Sequence, residues 1–167
     1  PRVNGIRQGD PLRLDDESTL DAAVRLALGL ERSCLPIQGP PGSGKTFTAA
    51  KVIIALVAAG RTVGITANSH AVISNLLAGV AKEATKQDIT LHAIQKVSDD
   101  DGGVDHPLVR TTKSNDDVEA AVAAGSVDVV AGTAWLFARE AMTGAVDTLV
   151  IDEAGQLSLA NVLAVAP

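Results

Sequence analysis

Short apolar runs alternate along the chain with longer segments whose apolar residues recur at helical spacing. The short runs, residues 34–38, 61–66, 91–97, 127–131 and 148–151, read as strands of the kind buried on both faces. Helical periodicity predicts helices over 18–30, 45–59, 69–84, 117–124, 134–142 and 157–166. Ser18 with Asp21 three residues later gives a capping-box-like start to the first, whose apolar positions include Leu20, Val24, Leu26 and Leu28. Gly60 is placed to end the second. Residues 98–117 are polar and acidic, carry Gly102, Gly103 and Pro107, and read as a loop. Strands alternating with helices predict an α/β fold: a parallel sheet with helices on both faces. Residues 18–167 form one domain in this reading, after a polar lead-in over residues 1–17.

Composition narrows this picture. With 167 residues, 46% of them hydrophobic, the chain is long enough to bury a core and is not charge-dominated. The longest apolar run, residues 52–59, is far short of the roughly 18 residues a membrane span needs. No secretory leader opens the chain, and Cys34 stands alone, so a soluble domain of a reducing, cytoplasmic compartment is expected. The start at Pro1 and the stop at Pro167 directly after an apolar helical pattern suggest a segment of a longer protein. A net charge of −6 argues against a dedicated basic nucleic-acid module and is compatible with a motor whose contacts are few. Phe47, Trp135 and Phe137 are the whole aromatic complement, which argues against a multi-aromatic stacking platform.

The strongest chemical signal is Gly39-Pro40-Pro41-Gly42-Ser43-Gly44-Lys45-Thr46, a full G-x-x-x-x-G-K-[ST] match lying between a predicted strand and a predicted helix. Glycines let backbone N–H groups converge on phosphate oxygens, and the helix N-terminus adds a favourable dipole. Lys45 is placed to reach the β/γ-phosphates, and the Thr46 hydroxyl to ligate Mg²⁺. Downstream, Thr148-Leu149-Val150-Ile151 is an apolar strand that ends in Asp152-Glu153. A strand delivers its last residues to the sheet edge where the phosphate loop lies. Asp152 is then the candidate Mg²⁺ residue, and Glu153 the group that orients or deprotonates the attacking water. Asp152-Glu153-Ala154-Gly155 also fits the D-x-x-G of GTPases. Thr112-Lys113-Ser114-Asn115 precedes it, however, where a guanine-reading element follows, and Asn115 replaces the aspartate such an element needs.

Gln38 through Thr46 together with Asp152-Glu153-Ala154-Gly155-Gln156 resembles motifs I and II of superfamily 1 helicases. The nearest subgroup is the one holding the nonsense-mediated-decay RNA helicase, the Okazaki-fragment nuclease-helicase and bacterial relatives, some fused to a RecB-like nuclease. Thr66-Ala67-Asn68-Ser69-His70-Ala71-Val72-Ile73 is similar to motif Ia, with His70 where the family often has Asn. Val129-Val130-Ala131-Gly132-Thr133 resembles the strand-then-Thr element that also touches nucleic acid. The resemblance implies a RecA-like ATPase domain using ATP and Mg²⁺, with Lys45 and Glu153 catalytic and Gln156 among the nucleotide-binding residues. It further implies that Ser69, His70 and Thr133 contact single-stranded DNA or RNA. A second RecA-like domain would supply arginine fingers, so slow hydrolysis is expected of this segment alone. Leu20 stands where the family places an adenine-reading Gln. The family's motif III strand, between the phosphate-loop and Asp152 strands, is absent from this sequence, so a central strand is expected to be lacking.

Two other functions fit the same motifs: a P-loop ATPase that remodels protein assemblies, and a nucleotide-binding regulatory module without hydrolysis. Ser69, Asn68 and Thr133 also have an ordinary reading as helix caps. Asp99-Asp100-Asp101-Gly102 reads as a solvated turn, Cys34 as a core residue, and the Ala/Val helices at 118–124 and 160–166 as packing faces. His92 and His106 lack metal-ligand spacing.

Overall fold

In a computed structural model that describes residues 2–7, 9–98 and 102–165, the strands form one five-stranded parallel sheet. The elements run α1 (Thr19–Leu28), α2 (Lys45–Ala58), β1 (Val63–Thr66), α3 (His70–Lys86), β2 (Ala93–Lys96) and β3 (Val109–Thr112). They continue as α4 (Asn115–Ala123), β4 (Val129–Ala131), α5 (Ala134–Phe137), β5 (Thr148–Ile151) and α6 (Leu159–Val165). The strand order is β3-β2-β4-β1-β5. Helices α1, α2 and α3 cover one face through Ala23, Ile53, Leu56, Ile73, Leu76 and Leu77. Helices α4, α5 and α6 cover the other through Val118, Leu136, Phe137 and Val165. The α/β architecture expected from the alternation is therefore present, in the RecA-like form the resemblance implies, and no helix among the described residues is long and apolar enough to cross a membrane.

Local chemistry accounts for the boundaries. Ser18 caps α1, its hydroxyl oxygen accepting from the Asp21 N–H, and Gly29 closes it. The Arg61 guanidinium donates to the carbonyls of Ala27 and Leu28, so a cation sits on the C-terminal carbonyls of α1. Gly60, at φ 78°, follows the C-cap of α2 and turns the chain into β1. Gln95 on β2 goes fully into the core, where its amide donates to Ser74 Oγ and accepts from the Val104 N–H. Both polar ends are satisfied, and β2 is thereby tied to α3 and to the following loop.

Several expectations need correction. Residues 34–38 form no strand and pair with none of the sheet. Pro36 has no N–H to give a ladder at the middle of that run, and β5 pairs only with β1. Cys34, expected in the core, is consequently exposed. The region taken as a loop over 98–117 contains β3 and the first turn of α4. β3 is an edge strand reading Val-Arg-Thr-Thr, so solvent on one side removes the apolar run that marks the inner strands. The helix expected over 134–142 breaks after Phe137 into a separate 3₁₀ turn, Glu140–Met142. The first helix stops at Leu28, and Leu30 instead bridges to buried Val3, which anchors part of the lead-in. In α6 only Val165 is buried, while Leu159 and Leu163 are exposed, so its described residues pack far less than expected. The turn assigned to Asp99, Asp100 and Asp101 lies outside the described residues, as does the end of the last helix at 166.

Candidate functional site

The phosphate-loop sequence folds as its glycines dictate. Gly42 and Gly44 have φ of 78° and 81°, a left-handed backbone that costs other residues roughly 1–2 kcal/mol each. Gly39 serves by close approach instead: a Cβ there would lie 2.5 Å from Ser43 Oγ. The loop closes with Ser43 N–H donating to the Pro40 carbonyl at 3.2 Å, and Gly44 starts α2, with Thr48 N–H on its carbonyl at 2.9 Å. Lys45 and Thr46 form the first turn of α2 and are half-buried. The Lys45 ammonium donates to the carbonyls of Gly39 (2.7 Å) and Pro40 (3.0 Å), folding over the mouth of the loop.

The edge of the sheet follows from chain direction. α2 is 14 residues long, about 21 Å, and its C-terminal end leads directly into the start of β1. Its N-terminus, with Lys45 and Thr46, therefore lies toward the carboxyl ends of the strands, where Asp152 also emerges.

The carboxyl end of β1 gathers the other candidate residues. The Thr66 carbonyl accepts the Asp152 N–H at 2.9 Å, prolonging the β1–β5 ladder by one step. On the opposite side the Ile65 carbonyl accepts the Gly132 N–H at 3.0 Å, which fixes Thr133 beside it. The chain leaving β1 supplies Ser69 and His70. Thr66 itself is fully buried, and its hydroxyl has no hydrogen-bond partner among the described residues. The sequence reading assigned it no role, since a threonine ending a strand carries no separate signal.

Asp152 is half-buried, and its Oδ1 accepts the Glu153 N–H at 2.9 Å. Glu153 is exposed and sits at φ 50°, ψ 41°, the left-handed region, as entry to a 3₁₀ turn over Ala154–Gln156. Neither carboxylate caps a helix, the alternative role for an Asp-Glu pair after a strand. Gln156, expected among the nucleotide-binding residues, donates from its side-chain amide to Glu153 Oε2 at 2.7 Å.

The two hydroxyls with an alternative capping role separate. Ser69 does cap α3, accepting from the Val72 N–H at 3.3 Å. Thr133 occupies the N-cap of α5 but makes no capping bond with its side chain. His70 is half-buried at the first position of α3. No hydrogen bond joins the phosphate loop to Asp152 or Glu153 among the described residues; strand direction alone brings them to one edge.

The donor set suits ATP with Mg²⁺. The loop has the left-handed glycines that close backbone approach to phosphate requires, while Thr46 and Asp152 offer the hard oxygen ligands Mg²⁺ prefers. Fold and loop together define a P-loop nucleotide-binding domain of the helicase-like ATPase type. Residues 20–166 match the family model described as an AAA domain, and the chain belongs to that family. No curated protein matches the chain significantly.

Proposed function

We propose that the chain is the ATP-hydrolysing motor domain of a superfamily 1 helicase-like protein, of the subgroup marked by Asp152-Glu153-Ala154-Gly155-Gln156, moving on single-stranded DNA or RNA. The observation that carries this reading is the convergence at the carboxyl end of β1. One strand end holds Asp152 on one side, Thr133 on the other, and runs on into Ser69. The two carbonyls that take Asp152 and Gly132 belong to successive residues, Thr66 and Ile65, and Ser69 follows three residues after Thr66, so a change at the phosphate end of the site is linked through one short segment to the residues offered to a nucleic-acid backbone.

In this mechanism Lys45 leaves the Gly39 and Pro40 carbonyls for the β/γ-phosphate oxygens, and the loop N–H groups hold the remaining phosphate charge. Thr46 and Asp152 would hold Mg²⁺, which supplies charge neutralisation at those oxygens. Glu153 accepts a hydrogen from the attacking water and aims it in line. Ser69 can serve two partners at once: its oxygen caps α3 while its O–H remains able to donate to a phosphate oxygen. Such contacts position the strand without reading its sequence. A second RecA-like domain, and in some relatives a fused nuclease, belongs to this proposal. Arginine fingers from such a domain are worth about 10³–10⁵ in rate, so turnover by this chain alone is slow.

The test is ATP turnover by the parent protein, with its second RecA-like domain, with and without single-stranded DNA or RNA, with Lys45→Ala as control. Stimulation by one polymer that disappears in the variant supports the motor and identifies its track. Lys45-dependent turnover indifferent to both polymers replaces it with an ATPase acting on protein assemblies. Nucleotide binding without turnover leaves a regulatory module.

A further inference from the structure

We infer that Gln156 is a positioning residue that holds the Glu153 carboxylate, and not a nucleotide contact; the inference rests on the ATPase reading above. Glu153 is exposed, and an unrestrained glutamate would spread over several rotamers. Three features of the turn fix it. Its backbone is left-handed at φ 50°, and the turn is closed by Gln156 N–H on the Glu153 carbonyl at 2.8 Å and Leu157 N–H on the Ala154 carbonyl at 3.2 Å. The closed turn brings the Gln156 side chain back beside that of Glu153. The amide then donates to Oε2 at 2.7 Å.

The orientation of that amide follows from chemistry. An ionised carboxylate only accepts, so Gln156 must present its NH₂, and its own carbonyl oxygen must face away. Oε2 is thereby engaged, and Oε1 is the oxygen left to accept from a water molecule. The left-handed residue is the one whose carboxylate needs aiming, and the residue that closes the turn is the one that aims it. A methionine at 156 would keep length and turn but lose the donor.

The test uses the full chain with Gln156→Met, in single-turnover ATP hydrolysis with Mg²⁺ and in titration with a fluorescent ATP analogue. Hydrolysis at saturating nucleotide should fall about 10- to 100-fold, the scale of a misaimed catalytic group, with affinity changed less than twofold. The ¹⁵N-labelled side-chain amide of Gln156 should also move to a solvent-like position in Glu153→Ala. Weakened affinity with unchanged hydrolysis at saturation overturns the inference in favour of a nucleotide contact. An amide signal that ignores Glu153→Ala overturns it as well. A wild-type parent protein, with its second RecA-like domain, that shows no Lys45-dependent hydrolysis overturns the ATPase reading instead, and the amide signal then decides the Glu153–Gln156 pair by itself. Because Gln156 is exposed, its variant should melt with the wild type, which excludes unfolding as the cause of lost activity.

Discussion

Glu83 shows how a single charge can be placed between helices without being left unpaired. It sits on α3, nearly buried, and accepts from the Lys51 ammonium of α2 and from the Gln87 amide one turn along its own helix. Lys51 in turn lies 5.6 Å from the centre of the Phe47 ring. The bond from Lys51, and after it the one from Gln87, holds the Glu83 carboxyl below its ordinary value of 4.5. Glu17 behaves likewise: the Arg25 guanidinium lowers it to about 2, and the same guanidinium donates to the Leu12 carbonyl, binding the lead-in to α1. A depressed carboxyl contributes stability that is complete above its unfolded value and is lost as pH falls through the folded one. The thermal midpoint should therefore hold near neutral pH and decline as pH drops below about 4.5 toward 2. Glu83→Gln should lower stability at neutral pH by about 1–3 kcal/mol and flatten the acid decline. Melting curves of both proteins across pH check this, and parallel acid limbs would remove Glu83 from the account.

At the scale of elements, the two hydroxyls near the end of β1 make a matched pair. Ser69→Ala removes a helix cap and should cost about 1 kcal/mol. Thr133→Val removes a hydroxyl that caps nothing while keeping the branched shape, so stability should be nearly unchanged. If both touch nucleic acid, both variants should weaken binding of a labelled single strand, and Thr133→Val gives the cleaner measure. Chemical denaturation beside fluorescence anisotropy separates the two effects; unaltered binding in Thr133→Val would take that residue off the track. What was legible in the sequence follows a physical divide. The β1 run within 61–66, the phosphate loop and the Asp152-Glu153 pair were readable because burial on both faces and phosphate chemistry each demand a narrow set of residues. β3 was not, since an edge strand can be polar. The Glu153–Gln156 contact was not either, because it depends on a left-handed backbone at a non-glycine residue that no local preference announces.

Taken as a whole, the molecule holds its phosphate loop mainly through α2, with Leu35 the one residue of 34–38 that packs against the core. α2 is packed into the core along Ile53, Ile54 and Leu56, whereas residues 34–38, which lead into the loop, lie outside the ladder. Ile37 is 46% exposed there and Cys34 is exposed, while the edge strand β5 is only half-buried at each of its positions. Local opening needs little free energy where backbone groups face solvent and few apolar contacts are broken. The amides of Leu35, Ile37 and Gln38 should therefore exchange with deuterium at close to unprotected rates, and those of Val63–Thr66 only through global unfolding. The Cys34 thiol should react with an alkylating probe in the native protein nearly as fast as in denaturant. ATP with Mg²⁺, by engaging the loop N–H groups, should slow exchange over residues 39–46 and leave β1 as it was. Protection over 35–38 equal to that of β1 in the nucleotide-free protein would mean that this segment is a paired strand after all, and that the loop is anchored by the sheet as well as by α2.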